Sequence, residues 1–183
     1  MGAREAERLI AGHGVKGFKF HPTVQGYHPY DKMAWPIYEL INAHKLPAIF
    51  HTGHSGIGSG MRCGGGLRLS TATRCTWTMW RSTFPTCRSS WPTRAFRGRT
   101  RRSPSRRTSR TCGSISPAGA PSIFPKQLVQ YANTLLKDRV LFGSDYPLIT
   151  PERWMKDFDD AGCKPEVMPG ILKGNAVRLL GLA

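Results

Sequence analysis

Short runs rich in apolar and aromatic residues alternate along the chain with stripes spaced for one face of a helix. Val15 to Phe20 predicts a strand that His21-Pro22 stops, because a residue before proline is pushed out of helical geometry. A loop follows at Gly26 to Tyr30. Met33 to His44 predicts a helix: Ala34, Trp35, Ile37, Tyr38 and Ile41 fall near one stripe, and Pro36 fits only in the first turn. Pro47 to Phe50 is near-continuously apolar, as parallel strands covered on both faces are, and His51 ends it. Gly53 to Gly66 is glycine-rich and predicts a loop. Further on, Lys126 to Leu136 predicts an amphipathic helix with Leu128, Val129, Tyr131, Leu135 and Leu136 on its apolar side. Val140 to Gly143 predicts a strand ending at Ser144-Asp145. Thr150 is placed to cap a helix that Pro151 opens. Pro165 to Leu180 predicts a last helix, weakened at Gly170 and Gly174. No internal repeat is visible.

Strand, helix, strand, helix, with histidine or aspartate just past the strand ends, predicts β/α architecture. When such units close into a barrel, chemistry gathers at the C-terminal ends of the strands. A complete barrel needs roughly 200 residues. This chain has 183, so a partial (β/α)8 barrel is expected.

Composition changes the picture in one place. Residues 70–122 hold eleven Arg, ten Ser, ten Thr and five Pro, and no Asp, Glu, Lys, His, Leu or Val. That stretch carries +11 of the formal +16, leaving an ordinary +5 for the other 130 residues. Two explanations compete. One is a disordered Arg/Ser-rich insert too poor in aliphatics to offset chain entropy, with Arg99 to Arg110 as a nucleic-acid tether. The other, favoured here, is GC-rich coding DNA read out of frame. Trp and Met have one codon each, so Thr76-Trp77-Thr78-Met79-Trp80 pins the bases as ACN TGG ACN ATG TGG. Read one base earlier, they spell Leu/Met/Val, Asp, Asp/Asn/His/Tyr and Val. The same shift over Pro85 to Arg94 yields three consecutive aliphatics, Ala, a codon that can be His and one that can be Pro. The expected organisation is therefore 1–69 barrel units, 70–122 an out-of-frame or disordered segment, and 123–183 further barrel units.

No run of 18 apolar residues is present, so no membrane span is expected, and the N-terminus lacks the apolar core of a secretory signal. Five cysteines without paired spacing argue against a disulfide framework and fit a cytoplasmic protein. Few aromatics accompany the arginines, so no specific nucleic acid is expected as a partner.

Chemistry is expected from His51 and Asp145, an imidazole and a carboxylate ending two different strands. That pair suits a divalent ion such as zinc, with the carboxylate also placed to take a proton from water. His21 closes a third strand in the same way, with Lys19 earlier on its face. His13, His28 and His44 have no such placement and are expected at the surface. Gly64-Gly65-Gly66 is not a phosphate loop, since no Lys-Ser/Thr follows.

The segments GVKGFKFHPT, LPAIFHTGH, QLVQYANTLLKDRVLFGSDYPLITPERW and ILKGNAVRLLGL resemble the amidohydrolase-related metal-dependent hydrolases. That branch includes aminocarboxymuconate-semialdehyde and resorcylate decarboxylases. The resemblance covers about Gly14 to Leu69 and Phe124 to Leu182. It implies the C-terminal portion of a TIM barrel of the metal-dependent hydrolase type, with His51 as metal ligand and Asp145 as ligand and proton handler. His21 and His54 would face substrate. The family's His-x-His pair has no counterpart here, and its Ala-His-Pro histidine falls at Pro92-Thr93. The implied metal is zinc, or else manganese. The implied reaction is hydrolysis of a small acyl or carboxylated substrate, such as an aromatic β-ketoacyl compound, or alternatively its non-oxidative decarboxylation. With ligand positions missing, this chain is expected to be impaired. A small-molecule substrate is the expected partner, a homo-oligomer is left open, and an Arg-rich nucleic-acid-binding protein is the alternative of another class.

Overall fold

The computed structural model describes residues 2–51, 60–62, 67, 88–92, 112–115, 124 and 126–182. They form two compact units, the first holding the described residues up to Ser90 and the second those from Trp91 onward.

The first unit opens with helix α1 (Ala3–His13), which packs on α3 and buries Ala6. Gly14 ends it with a left-handed φ of 58°, and its N–H returns to the Leu9 carbonyl. The sequence reading had no element here. The signal was present, since a run of good helix formers followed by glycine marks a helix end. Strand β1 (Phe18–Phe20) leads into a one-turn helix α2 (Pro22–Gln25). A tight helical turn at Lys32–Ala34 then runs into α3 (Trp35–Ala43), with Pro36 in its first turn as expected. Strand β2 (Pro47–Phe50) pairs with β1 in parallel, Phe18 opposite Ala48 and Phe20 opposite Phe50. The two strands run close at their start, where a Cβ on Gly17 would lie 2.9 Å from the Pro47 carbonyl oxygen. Phe18, Phe20, Ala48 and Phe50 are buried together with Tyr38 and Ile41 of α3. Phe20 stacks on Phe50 at 4.9 Å and meets Tyr38 edge-on at 5.3 Å. Strand β3 (Arg88–Pro92) continues the parallel order, Pro47 opposite Arg88 and Ile49 opposite Ser90.

In the second unit, β4 (Cys112–Ile115) pairs in parallel with β5 (Val140–Leu141). Helix α4 (Lys126–Ala132) precedes β5, and α5 (Pro151–Asp159) follows it. As expected, Thr150 caps α5, its hydroxyl accepting the Arg153 N–H at 3.4 Å, and Pro151 opens the first turn. The last helix is widened into a π turn at Gly170–Gly174 before α6 (Asn175–Leu180), so the two glycines that weaken it bound the irregularity. The core gathers Ala132, Val140, Trp154, Phe158, Val167 and Ile171. Trp154 stacks on Phe158 at 4.7 Å and meets Phe142 edge-on at 4.6 Å. Asn133 ties α4 to the turn after α5, donating to the Gly162 carbonyl and accepting the Lys164 N–H.

Two stretches of the 70–122 segment are thus strands rather than structureless chain, because pairing in a parallel ladder needs only main-chain groups. The remainder of that segment lies outside the described residues. Strand β3 falls on the codons that, one base earlier, spell the three aliphatics and alanine. Among the described residues no helix is long and apolar enough to cross a membrane.

Candidate functional site

Side chains alternate faces along a strand, so burial of Phe18, Phe20, Ala48 and Phe50 against α3 assigns Lys19, His21, Ile49 and His51 to the opposite face. The register that sets Phe20 opposite Phe50 brings the next residues, His21 and His51, side by side at the strands' C-terminal ends. The His51 N–H donates to the Phe20 carbonyl at 2.9 Å, extending the ladder by one rung. The two imidazoles stack with centroids 3.9 Å apart and planes 10° from parallel.

His21 has a second duty. Its Nδ1 accepts the Val24 N–H at 3.4 Å and so caps α2, while its own N–H donates to Gln25 Oε1 at 2.8 Å. An accepting Nδ1 puts the proton of the neutral ring on Nε2. The same ring therefore ends the strand, starts the helix and lies flat against His51.

In the second unit the chain leaves β5 through Phe142 and Gly143 to a buried Ser144 and an exposed Asp145. Asp145 holds a left-handed φ of 63°, a conformation that aspartate tolerates better than most residues. Its carbonyl accepts the Leu148 N–H at 3.0 Å, closing a turn over Tyr146 and Pro147, which are joined by a cis peptide. Tyr146 and Leu148 are both exposed beside it.

The expected residues thus stand at strand ends, His21 and His51 in contact in one unit and Asp145 in the other. His54 lies outside the described residues. His13 and His44 are at the surface as expected, but His28 is not. It is half-buried, its ring stacked on Tyr30 at 5.2 Å, and its N–H donates to Asp31 Oδ2 at 2.7 Å. The Tyr27-His28-Pro29-Tyr30 turn folds inward because Tyr27 is itself buried, accepting the Tyr38 hydroxyl proton at 3.4 Å. Burial pushes the Tyr27 phenol above its ordinary value, although the Tyr38 hydrogen bond acts the other way. Cys163, half-buried, has its thiol raised by burial.

One residue escaped the sequence reading altogether. Asn175 is buried, and its amide holds the backbone on either side of the start of β5. The available signal was a polar residue four positions after Ile171, on the buried side of the last helix.

An imidazole and a carboxylate are suitable donors for a divalent ion. Among the described residues, however, no group of three or more His, Cys, Asp or Glu side chains gathers to hold one. The stacked geometry is one reason: ring lone pairs lie in the ring plane, so two parallel imidazoles do not converge on a shared point above them. His51 and Asp145 are of residue types that can ligate such an ion, and a complete shell is not assembled among the described residues.

The sequence matches the amidohydrolase family model over residues 2–86 and 77–182, and the chain belongs to that family. Among solved structures it is similar to an uncharacterized TIM-barrel protein from Bordetella bronchiseptica, with a TM-score of 0.74 and 21% identity over 99% of this chain and 63% of that one. It is similar to 5-carboxyvanillate decarboxylase from Sphingomonas paucimobilis (TM-score 0.72, 17% identity, 99% of this chain and 63% of that one). A third is dihydroxybenzoic acid decarboxylase from Polaromonas sp. JS666, with bound manganese and 2-nitroresorcinol (TM-score 0.70, 16% identity, 98% and 65%). The fold is that of a partial TIM barrel, and the chain spans about 63% of the length of the first two of these structures. No curated protein matches the sequence.

Proposed function

We propose that the chain carries two ligand positions, His51 and Asp145, of a metal-dependent enzyme acting on a small carboxylated substrate by non-oxidative decarboxylation. The observation that carries this is the placement of both residues just past parallel strands, where barrel enzymes of this architecture hold their chemistry. Decarboxylation is preferred over hydrolysis because the similar solved structures with a named activity include decarboxylases of hydroxylated benzoates. Hydrolysis is the second reading, favoured by the family's own description.

A divalent ion, manganese in the Polaromonas relative, would supply Lewis-acid polarisation of a substrate oxygen. His51 would offer a neutral imidazole, which His21 keeps flat by stacking. The Asp145 carboxylate, exposed on its turn, would hold or release a proton at the reacting carbon. Tyr146 and Leu148 give that carboxylate an apolar border suited to an aromatic ring. We further propose that residues 70–122 are translated out of frame, so that the histidine due at Pro92-Thr93 is lost and turnover is impaired.

The test is a manganese and a zinc titration of the purified chain, followed by a CO2-release assay on dihydroxybenzoates and a hydrolysis assay on β-keto acids. Weak metal binding that each of His51→Ala and Asp145→Asn reduces without abolishing is the expected result, with little or no turnover. Binding unchanged in both variants would sink the ligand assignment, and robust metal-dependent turnover would overturn the impairment.

A further inference from the structure

Backbone groups of successive residues in extended chain point to opposite edges, so those of Val140 and of Phe142, just past β5, share one edge. Helical turns, not a strand, take these groups. The Val140 N–H donates to the Leu136 carbonyl at 3.1 Å, and the Phe142 N–H donates to the Ile171 carbonyl at 2.9 Å. The Val140 carbonyl accepts from Asn175 Nδ2 at 2.7 Å, and the second proton of that amide goes to the Lys137 carbonyl at 2.8 Å. Ile171 lies inside the π turn: its N–H keeps an i to i−4 bond to the Val167 carbonyl at 3.1 Å, while the Asn175 N–H reaches back five residues to the Gly170 carbonyl and so does not take that of Ile171.

The amide is caged. Asn175 is 3% exposed, and the Arg178 guanidinium donates to its Oδ1. Arg178 also reaches Asp138 at 3.6 Å, on the turn that leads into β5. A guanidinium only donates and a backbone carbonyl only accepts, so one orientation of the amide satisfies all three neighbours. Gly170 lies against it: a Cβ there would be in contact with Oδ1 at 3.4 Å.

We infer that Asn175 is a positioning residue for Asp145. Its amide fixes the entry to β5 while the π turn fixes the exit at Phe142, three residues before the carboxylate. With both ends held, the buried Ser144 and the turn closed by Leu148 present Asp145 at a set height above the strand. Apolar packing around Trp154 would keep β5 in the core without the amide, but would not fix its position along its own axis. The functional half of this inference rests on the reading of Asp145 as a ligand and proton handler.

Asn175→Ala removes both donors, and Arg178→Met, at a largely exposed position, frees the amide oxygen without emptying the core. Hydrogen exchange of the peptide spanning Phe142 to Leu148 is compared with that of the Leu128–Ala132 peptide in α4. The expected result is exchange at least about tenfold faster in the first peptide for Asn175→Ala, a smaller increase for Arg178→Met, and no change in the second. Manganese binding, read by electron paramagnetic resonance, should weaken by about tenfold in Asn175→Ala, the lower end of the cost of losing a ligand's own hydrogen-bond partner, because Asn175 acts through the strand and its amide bonds the Lys137 and Val140 carbonyls. It should weaken no further when Asn175→Ala is added to Asp145→Asn. Equal acceleration of both peptides, no acceleration of either in both variants, or additive losses of manganese would overturn the positioning role. A parent chain that binds no manganese would sink the ligand reading of Asp145, while the exchange comparison still decides the clamp. If Asn175→Ala fails to fold, Arg178→Met carries the same comparison alone.

Discussion

A single buried phenol in the first unit has a consequence for pH. The Tyr27 hydroxyl sits under the turn that follows α2, and burial raises its proton affinity above the ordinary value of 10.0. The folded chain then keeps a proton that the unfolded chain releases, so stability is complete below pH 10 and falls as pH rises through the higher folded value. Tyr27→Phe should flatten that alkaline loss, measured as urea midpoints between pH 9 and pH 11.5. An equal slope in parent and variant would remove Tyr27 as its source. At this scale the sequence was legible where a polar residue interrupts an apolar run. His51 and Asp145 stood out because nothing in Pro47 to Phe50 or Val140 to Phe142 prepares for them. His28 and Asn175 did not stand out, because His28 is carried inward by its neighbour Tyr27, which meets Tyr38, and Asn175 reaches the Lys137 carbonyl, partners distant in sequence.

Whole elements were easier to read than their ends. The strand expected from Val15 is regular only over Phe18–Phe20, and the helix expected to Leu136 is regular only to Ala132. In each case hydrophobic pattern extends past the hydrogen-bonded segment, since pattern reports burial and not ladder geometry. The start of α5 was an exception because capping is local chemistry: Thr150 and Pro151 specify it without help from the rest of the molecule. Thr150→Ala should cost about 1 kcal/mol of stability, leaving the Arg153 N–H to solvent. Thr150→Asn should restore most of it in the same thermal or urea experiment. Helix α1 went unread for the opposite reason, since among its residues only Ala6 is buried and its apolar stripe is thin.

For the molecule as a whole, composition and fold point in different directions. A net charge of +16 would ordinarily direct attention to nucleic acid, yet the amidohydrolase family model matches residues 2–86 and 77–182, the arginine-rich stretch included. The arginines of residues 70–122 should still attract polyanions. Duplex DNA of any sequence should bind with similar affinity, falling by about 10³–10⁵ between 50 and 200 mM salt if six to ten phosphates are contacted. Fluorescence anisotropy with two unrelated duplexes checks this, and a strong preference for one would count against the out-of-frame reading proposed for residues 70–122. Family and partial barrel were legible in the flanking motifs. No metal shell was legible, because such a shell requires residues from separate strands to converge, and convergence leaves no mark on spacing. Strand β3 shows how far that separation goes, for it docks beside β2 through main-chain atoms at Arg88, Ser89 and Ser90. Such a rail is blind to spelling: a stretch of suitable length can occupy that berth whatever side chains it carries. Swapping Ser89 or Ser90 for another residue with a main-chain N–H would accordingly leave that seam with β2 in place.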